Sequence, residues 1–593
     1  MVHYWTQESS ADFLRISQLY PPKILTFYLI GLVVPFLFYH WVRRLKNHGR
    51  PMISPVATFI ISTIIQASFY IFYLGFIDEV FVNLDHPWNL LNHGRFSFQP
   101  DHLVDGTVEF LYYFLLTPWA TSRPLLIQAL MVQGWVVAWL HLVVLFAMLR
   151  HEKTPVRIWS LLILACHPTV NDVFAGGFGN SLISLVFLSS LAFWWNSKLK
   201  TAAFFASIMP LIRLDAIVYV PPLVVLIFMA KPRLRTAVIT SFSALSSLIV
   251  VLCMHRTGYG YWVPTPILFK SMPIHVLAGS IHRFPNAVIA LFISPMNLVL
   301  FGSILAGSHL LIRNPKTRQL LSIIPYLICI SIFYYIQARI NPPDRYYLPM
   351  NIVIVILSGY AIGSIQSRTP VDSDDNQNPA ISLFLSRYGL LILVIGLLQF
   401  AVYARRVSQV GLDTHFNNSA FPGPVIRNDQ IVHDAMILQE IIPENSGWRT
   451  ATTELDTFGF FLDRPILPLW GYANREIALS KSFNSMDIRC DPKILERTRP
   501  ELFWVWHRTM DPRLRVYDAS EDRNFFTFLS SAGLGSSEYI TNQYHLLLIN
   551  RGGTSTQILI RHDIWPIFQN RLTHAGYREI QSRPWNIPTV ESE

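Results

Sequence analysis

Long apolar stretches recur through the first two thirds of the chain. A transmembrane helix needs about 20 mostly apolar residues. Spans are predicted at 24–42, 55–77, 124–149, 177–196, 236–254, 286–312, 319–336, 346–366 and 387–404, and shorter ones at 158–172, 202–212 and 214–230. Prolines interrupt the last two of these, so broken or partial spans are expected there. Together the stretches predict a polytopic α-helical membrane protein with about 11–12 spans.

The pattern changes after residue 404. Short strand-like runs such as HLLLIN at 545–550 alternate with helical ones such as 431–442. Charged residues also become frequent. The sequence therefore predicts two parts, a multi-span membrane domain at 1–404 and a soluble α+β domain at 405–593.

Composition supports a membrane class. Hydrophobic residues make up 52% of the chain and charged residues only 14%, whereas soluble proteins average about 25% charged residues. The net charge of +10 would fit nucleic-acid binding, but the basic residues gather in short loops between apolar stretches. These loops contain Arg43, Arg44, Lys46 and Arg50; Arg150, Lys153 and Arg157; Lys198 and Lys200; Lys231, Arg233 and Arg235; and Arg313, Lys316 and Arg318.

Such alternation is the positive-inside pattern. It predicts that the basic loops are cytoplasmic. It places the long loops 78–123 and 255–285, and all residues after 404, on the outer side. No nucleic-acid partner is expected. The aromatic segment 106–119 is too short to span and is expected to lie flat at the interface.

No cofactor is expected from the sequence. Three of the four cysteines, Cys166, Cys253 and Cys329, lie in apolar stretches and Cys490 stands alone, so no disulfide framework is indicated. The 19 histidines include no HExxH spacing, and no nucleophile elbow or phosphate-binding loop occurs. Metal binding is not predicted.

Two acidic positions are candidates for chemistry. Asp78 and Glu79 follow directly on the span at 55–77, where a carboxylate could take a proton from a hydroxyl. A solvated pair that marks the end of a helix is the alternative. Arg213 and Asp215 lie between two apolar stretches. They are either functional or an ion pair that joins two helices.

Two further cations lie on the same predicted outer face. Lys270 is in the long outer loop, and Arg345 precedes the span at 346–366. Together with Arg213 they could bind a lipid phosphate or pyrophosphate. Alternatively they extend to ordinary lipid head groups.

Five segments in order carry a family resemblance. They are IDEVFVNLDHPWNLLNHGRFSFQPDHLVDGTVEF at 77–110, LIRLDAIVYVPPL at 211–223, GYGYWVPTPILFKSM at 258–272, DRYYLPM at 344–350 and TTELDTFGFFLDRPILPLWGYANREIA at 452–478. The set resembles glycosyltransferases of the GT-C fold that use polyprenyl-phosphate sugars. The most similar branch contains the terminal arabinofuranosyltransferases of bacterial cell-wall arabinan synthesis.

The resemblance implies a membrane-embedded, inverting glycosyltransferase in the bacterial plasma membrane, with a polyprenyl-phosphate sugar donor and a glycan or lipid acceptor. It implies Asp78 as general base with Glu79 assisting. Two adjacent acids could also hold a divalent cation, but two ligands are too few to predict one. It further implies that Lys270, Arg213 and Arg345 bind the donor phosphate, and that Asn89, Asp215 and His86 bind substrate. Trp470, Trp504 or Trp506 could stack on a sugar, although any one of them is more readily explained as a core residue.

Departures from the family pattern leave the sugar open. The second acid is Glu79 where the branch usually has Asp, and no acid lies near Gly179, where a Glu is often found. Pro266 replaces the Thr of the lysine loop, and the threonine near Thr107 is displaced. The expected sugar is arabinofuranose, another pentose or a hexose.

Two other classes of protein remain as alternatives. A transporter or flippase would show an internal repeat and paired intramembrane charges along a pathway. The sequence shows neither the repeat nor acids deep in several spans. A non-catalytic envelope-assembly protein would tolerate replacement of Asp78.

Overall fold

The chain is described by a computed structural model. The described residues are 54–72, 79–99, 105, 107–230, 234–270, 295–337, 346–367, 429–444, 446–452, 457–469, 492–504, 542–551, 554–575 and 578–584. Several sequence predictions fall outside them, namely the spans at 24–42 and 387–404 and the residues Asp78, Arg345, Trp470, Cys490 and Trp506.

Helices dominate the described part of the chain. In chain order they are α1 Pro55–Phe72, α2 Glu79–His93, α3 Phe110–Phe114, α4 Arg123–Met148, α5 Thr154–Cys166, α6 Pro168–Ala175, α7 Asn180–Trp195, α8 Leu199–Ile212, α9 Val220–Ala230, α10 Leu234–Tyr259, α11 Thr265–Lys270, α12 Pro295–Ala306, α13 Ser308–Arg313, α14 Pro315–Ser322, α15 Ile324–Gln337, α16 Leu348–Gln366, α17 Asp429–Ile441, α18 Thr457–Leu462, α19 Pro492–Thr498 and α20 Trp565–His574. Short 3-10 helices lie at Thr117–Trp119 and Leu214–Tyr219.

Four helical stretches are long and apolar enough to cross a membrane. They are Leu125–Met148, Leu234–Tyr259, Pro315–Tyr334 and Leu348–Gln366. Each coincides with a predicted span. Six shorter apolar helices occupy other predicted spans within the described residues. The mostly helical membrane architecture is thus as predicted, while the number of crossings stays a prediction.

Helix α16 lies at the centre of the helical part. Nearly all its side chains are buried, and it packs along α5. A Cβ atom on Gly359 would come within 2.1 Å of Ser160 Oγ, and one on Gly363 within 2.4 Å of the Val156 nitrogen. The two backbones therefore approach closely because neither glycine has a side chain, as is common where membrane helices pack. Helix α10, by contrast, exposes most of its apolar side chains.

A six-stranded sheet follows the helical part. Its strands are β1 Thr450–Thr452, β2 Ile466–Pro468, β3 Leu502–Trp504, β4 Tyr544–Arg551, β5 Thr554–Arg561 and β6 Arg578–Pro584. The order across the sheet is β2-β1-β3-β5-β4-β6. Strand β1 is parallel to β2 and β3, and the other pairings are antiparallel. The predicted strand at 545–550 lies within β4, and the predicted helix at 431–442 corresponds to α17.

The segment after α2 joins the helical part to the sheet. The Gln99 side-chain amide donates to the Ile466 carbonyl of β2 at 2.6 Å, and Arg123 at the start of α4 forms a 2.7 Å ion pair with Asp463. Val82 and Phe98 belong to the apolar core beneath the sheet. The sheet is therefore held directly against the loop that was predicted to carry the chemistry.

Candidate functional site

Arg213 is the centre of a buried polar cluster. It ends helix α8 in an extended conformation, and its side chain is only 4% exposed. Its Nε and Nη2 donate to the Asp215 carboxylate at 2.6 and 3.1 Å. Its Nη1 donates to Asn180 at 2.8 Å and to Glu109, and Nη2 also donates to the Tyr346 hydroxyl at 3.0 Å. These bonds tie four separate segments together.

The cluster changes the interpretation of Arg213. A guanidinium has five N–H donors, and the five bonds above use all of them. A lipid phosphate would have to displace one of these acceptors. The predicted ion pair with Asp215 is present, and its geometry fits the reading in which it holds helices together. All N–H groups of Arg213 are thus bonded within the protein, which does not support direct binding of the lipid phosphate by Arg213.

Glu109 is the acid that sequence reasoning missed. Its Oε2 accepts from the Gly179 backbone nitrogen at 2.9 Å, and a Cβ atom on Gly179 would lie 3.0 Å from its Cδ. The sequence has no acid near Gly179, where the family often has a Glu, but Glu109 contacts Gly179 from a segment 70 residues away. A signal was present, since an acid inside the aromatic run GTVEF is a functional candidate.

Asp105 forms a second buried cluster. The residue is 1% exposed, and its carboxylate accepts from Nε2 of His255 at 2.9 Å and from the Tyr261 hydroxyl. It also accepts from the Thr265 backbone nitrogen and from the Thr265 hydroxyl, both at 2.6 Å. All four bonds go to the stretch that leads into α11.

Residues 105–109 contact the segments that carry Lys270 and Arg213, and Arg213 in turn contacts Tyr346. Asp105 binds Thr265, the first residue of α11, and Lys270 is the last residue of that helix. The Cα atoms of Thr265 and Lys270 are therefore about 7.5 Å apart along the helix axis. Glu109 holds Arg213, which holds Tyr346, the neighbour of Arg345. The described residues do not include the side chain of Lys270 or any part of Arg345. The predicted convergence of the cations therefore stays a prediction.

Asn89 and His86, two of the three predicted residues on α2, have local contacts. Glu79 is its first residue. The Asn89 amide donates to the Ser97 and Phe98 carbonyls at 2.9 and 3.1 Å, which fixes the following loop. Burial lowers the pKa of His86 to about 4, so its ring is neutral at pH 7. Nδ1 of His86 donates to a backbone carbonyl of the same helix at 3.1 Å. Substrate contact by Asn89 and His86 stays a prediction.

Trp504 belongs to the core. It is 2% exposed, its ring stacks on Phe458 with centroids 4.0 Å apart, and its Nε1 donates to Asp434 at 3.1 Å. A ring covered in this way offers no face to a sugar. Of the three predicted platforms, Trp504 is therefore a core residue, and the other two lie outside the described residues.

A small polar cavity lies between α2, the start of α4 and α18. Asp85, Asn89, Gln99, Arg123 and Asp463 are among its lining residues. Arg123 lies between the rings of Trp88 and Phe460, at 4.7 and 4.9 Å. Asp85 is 5% exposed and faces Arg123 without a hydrogen bond in the described part of the chain. Burial raises the pKa of the Asp85 carboxyl well above its usual range.

We expect Asp85→Asn to stabilise the protein at pH 7.5. A carboxyl with a raised folded-state pKa favours folding below its unfolded pKa of about 3.9, and this contribution is lost as pH rises through the folded value. At pH 7.5 the wild type therefore carries the cost of either burying a charged carboxylate or keeping it protonated, and Asn carries neither. Thermal unfolding of purified protein should show a higher Tm for the variant, and the difference should shrink as pH falls towards 4.

Asp463→Asn is the matched control. Asp463 has a φ of 52°, which Asn also adopts readily, and its carboxylate is paired with Arg123 at 2.7 Å. The same chemical change should therefore lower Tm here. Equal shifts of the same sign in both variants would contradict this account of the cavity.

Among the described residues, no three His, Cys, Asp or Glu side chains come together as metal ligands. The two clusters instead use their acids to bind an arginine, a histidine and backbone amides. These buried hydrogen bonds form a fixed polar framework beside the end of α8. The absence of a cofactor remains an expectation.

The fold described above is similar to that of solved structures of the GT-C class, the class that the resemblance implied. The archaeal oligosaccharyltransferase AglB from Archaeoglobus fulgidus, in complex with an inhibitory peptide and a dolichol-phosphate, matches with a TM-score of 0.51 and 10% identity, over 86% of this chain and 74% of that one. ArnT from Cupriavidus metallidurans, bound to undecaprenyl phosphate, has a TM-score of 0.47 and 12% identity over 85% of this chain and 97% of that one. No family model matches the sequence, and no curated protein matches it. The arabinofuranosyltransferase branch has no support among these structures.

Proposed function

We propose that this protein is a membrane glycosyltransferase. It takes a sugar from a polyprenyl-phosphate donor and transfers it to a glycan or lipid acceptor of the cell envelope. The observation that carries the proposal is the fold shared with AglB across most of the chain, because that structure contains a dolichol-phosphate. The ordered sequence motifs supply the second support.

The reaction is a single displacement. The acceptor hydroxyl attacks the anomeric carbon, a new C–O bond forms there, and the bond from that carbon to the phosphate oxygen breaks. The hydroxyl proton passes to Asp78, and the polyprenyl phosphate leaves with the bonding electron pair. Attack from the opposite face inverts the anomeric centre.

Lys270 and Arg345 balance the charge that develops on the departing phosphate. Preorganised cations of this kind act in the transition state, where the phosphate gains charge. We assign Arg213 a different part, since its donors are already used. It holds Glu109, Asn180 and Tyr346 in place, and Tyr346 fixes the backbone next to Arg345.

A transfer assay tests the proposal. Purified protein in lipid nanodiscs is given polyprenyl-phosphate donors that carry a radiolabelled pentose or hexose, together with envelope glycan and glycolipid acceptors. Label should move to an acceptor with stoichiometric release of polyprenyl phosphate, and the product should have the inverted anomeric configuration.

The alternative classes give different results. In sealed proteoliposomes a flippase would carry the intact sugar-lipid across the bilayer without breaking the glycosidic bond. A non-catalytic assembly protein would do neither. Failure of every donor to transfer, while the protein is folded and binds polyprenyl phosphate, would contradict the proposed activity.

A further inference from the structure

Asp105 has a set of contacts that the proposed reaction does not use. The carboxylate is buried, lies just before Thr107 and Glu109, and binds only residues 255–265 among the described residues. Its partners are separated from it by 150 to 160 residues in the sequence. The bonds therefore fix two distant parts of the fold against each other.

The contacts converge on the beginning of α11. The Thr265 backbone nitrogen belongs to the first turn of that helix and has no partner within the helix, so the Asp105 carboxylate supplies it with one. The Thr265 hydroxyl donates to the other oxygen of the same carboxylate. Hydrogen bonds to a charged acceptor are shorter and stronger than neutral ones. The two hydrogen bonds from Thr265 to Asp105 thus fix the first residue of α11.

The same segment is anchored at its other end. The Glu109 backbone nitrogen donates to the Thr107 hydroxyl at 3.0 Å, and the Glu109 side chain holds Arg213 and Gly179. Residues 105–109 therefore connect the helix that ends at Lys270 to the buried arginine cluster. A long lysine side chain reaches a phosphate reproducibly only when its backbone is fixed.

We propose that Asp105 is a positioning residue for recognition of the lipid phosphate. It orients α11 so that Lys270 meets the phosphate of the polyprenyl donor. This inference rests on the proposed function. It adds that donor recognition depends on a carboxylate that does not touch the donor.

The first test is a split between kinetic constants. Asp105→Asn keeps the shape but can no longer accept four bonds. Its KM for the polyprenyl-phosphate sugar should rise about tenfold to a hundredfold, the cost expected for displacing a positioned group by about 1 Å. The kcat should fall as well, because Lys270 is proposed to balance charge in the transition state, whereas the KM for the acceptor should change less than about threefold. A general loss of fold would instead lower Tm and affect both substrates.

Thr265 provides the matched pair of variants. Thr265→Ser keeps the hydroxyl that donates to Asp105 and should behave like the wild type. Thr265→Val has nearly the same shape without the hydroxyl, and its donor KM should rise in the same direction as in Asp105→Asn. If Asp105→Asn fails to fold, this pair still decides the question.

A double-mutant cycle identifies the residue through which Asp105 acts. Lys270→Met removes the cation directly. If Asp105 works through Lys270, Asp105→Asn should cause little further loss in the Lys270→Met background. Fully additive losses would overturn the proposal, and so would an acceptor KM that rises as much as the donor KM.

Binding of polyprenyl phosphate itself, measured by native mass spectrometry in nanodiscs, separates this inference from the proposed function. Asp105→Asn and Thr265→Val should both bind it more weakly than the wild type and Thr265→Ser. Weaker binding together with an absence of transfer by the wild type would refute the proposed activity alone. Unchanged binding in both variants would overturn the role given to Asp105.

Discussion

Asp78→Asn should fold, bind the donor lipid and lose transfer by about a hundredfold to ten-thousandfold, the usual cost of removing a general base. Asparagine keeps the size of the side chain but cannot take the hydroxyl proton at neutral pH. The measurement is the rate of sugar transfer by purified variant and wild type at saturating donor. Equal amounts of bound polyprenyl phosphate would show that the donor site is intact.

Glu79→Gln is the control and should retain measurable activity. Glu79 is the first residue of α2, and Asp78 directly precedes it. Successive residues of a chain do not share a side-chain direction, so we expect only one of the two carboxylates to face the acceptor hydroxyl. Full turnover by Asp78→Asn would exclude it as the base. Equal losses in both variants would indicate a shared proton or a shared cation.

Long apolar runs were the most reliable part of the sequence. The predicted span 346–366 corresponds to α16, and 124–149 corresponds to α4, each within two residues at either end. Such runs have to be helical in a bilayer because every backbone polar group needs a partner within its own segment. Length and hydropathy alone were sufficient for these elements.

Short interruptions were harder to place. The predicted span 158–172 is two helices, α5 and α6, separated at His167. His167 is extended, with φ −73° and ψ 111°, because Pro168 follows it and disfavours the helical conformation. The proline was visible in the sequence. Whether Pro168 ends the helix depends on how the neighbouring helices pack against it.

The site was the least predictable part. Glu109 and Arg213 are 104 residues apart, and Asp105 and Thr265 are 160 apart. No periodicity connects such residues, so only the packing of α3, α8 and α11 brings them together. No acid is near Gly179 in the sequence, and sequence spacing could not show that Glu109 contacts Gly179 from another segment. Side-chain partners, rather than residue type, show that Arg213 binds groups of the protein itself.

Arg213→Met should destabilise the protein severely. The substitution leaves the Glu109 carboxylate buried without its cation, and Asp215 loses both of its bonds to the guanidinium. Breaking a buried ion pair by removal of one partner costs about 3–5 kcal/mol. We expect a large fall in Tm and in the yield of monodisperse protein, measured by fluorescence-detected size-exclusion chromatography after heating.

Arg213→Lys distinguishes a structural role of Arg213 from direct binding of the donor phosphate. Lysine keeps the positive charge but has three donors in place of five and cannot bind Asp215 through two nitrogens. If Arg213 holds the buried cluster together, Arg213→Lys should lower Tm. The affinity for polyprenyl phosphate should then fall only in proportion to the loss of folded protein. If Arg213 instead binds the phosphate directly, Arg213→Lys should keep Tm, because the lysine charge still neutralises the buried acids. The affinity for polyprenyl phosphate should then fall even though the protein is fully folded. The five bonds made by its guanidinium lead us to expect the first result.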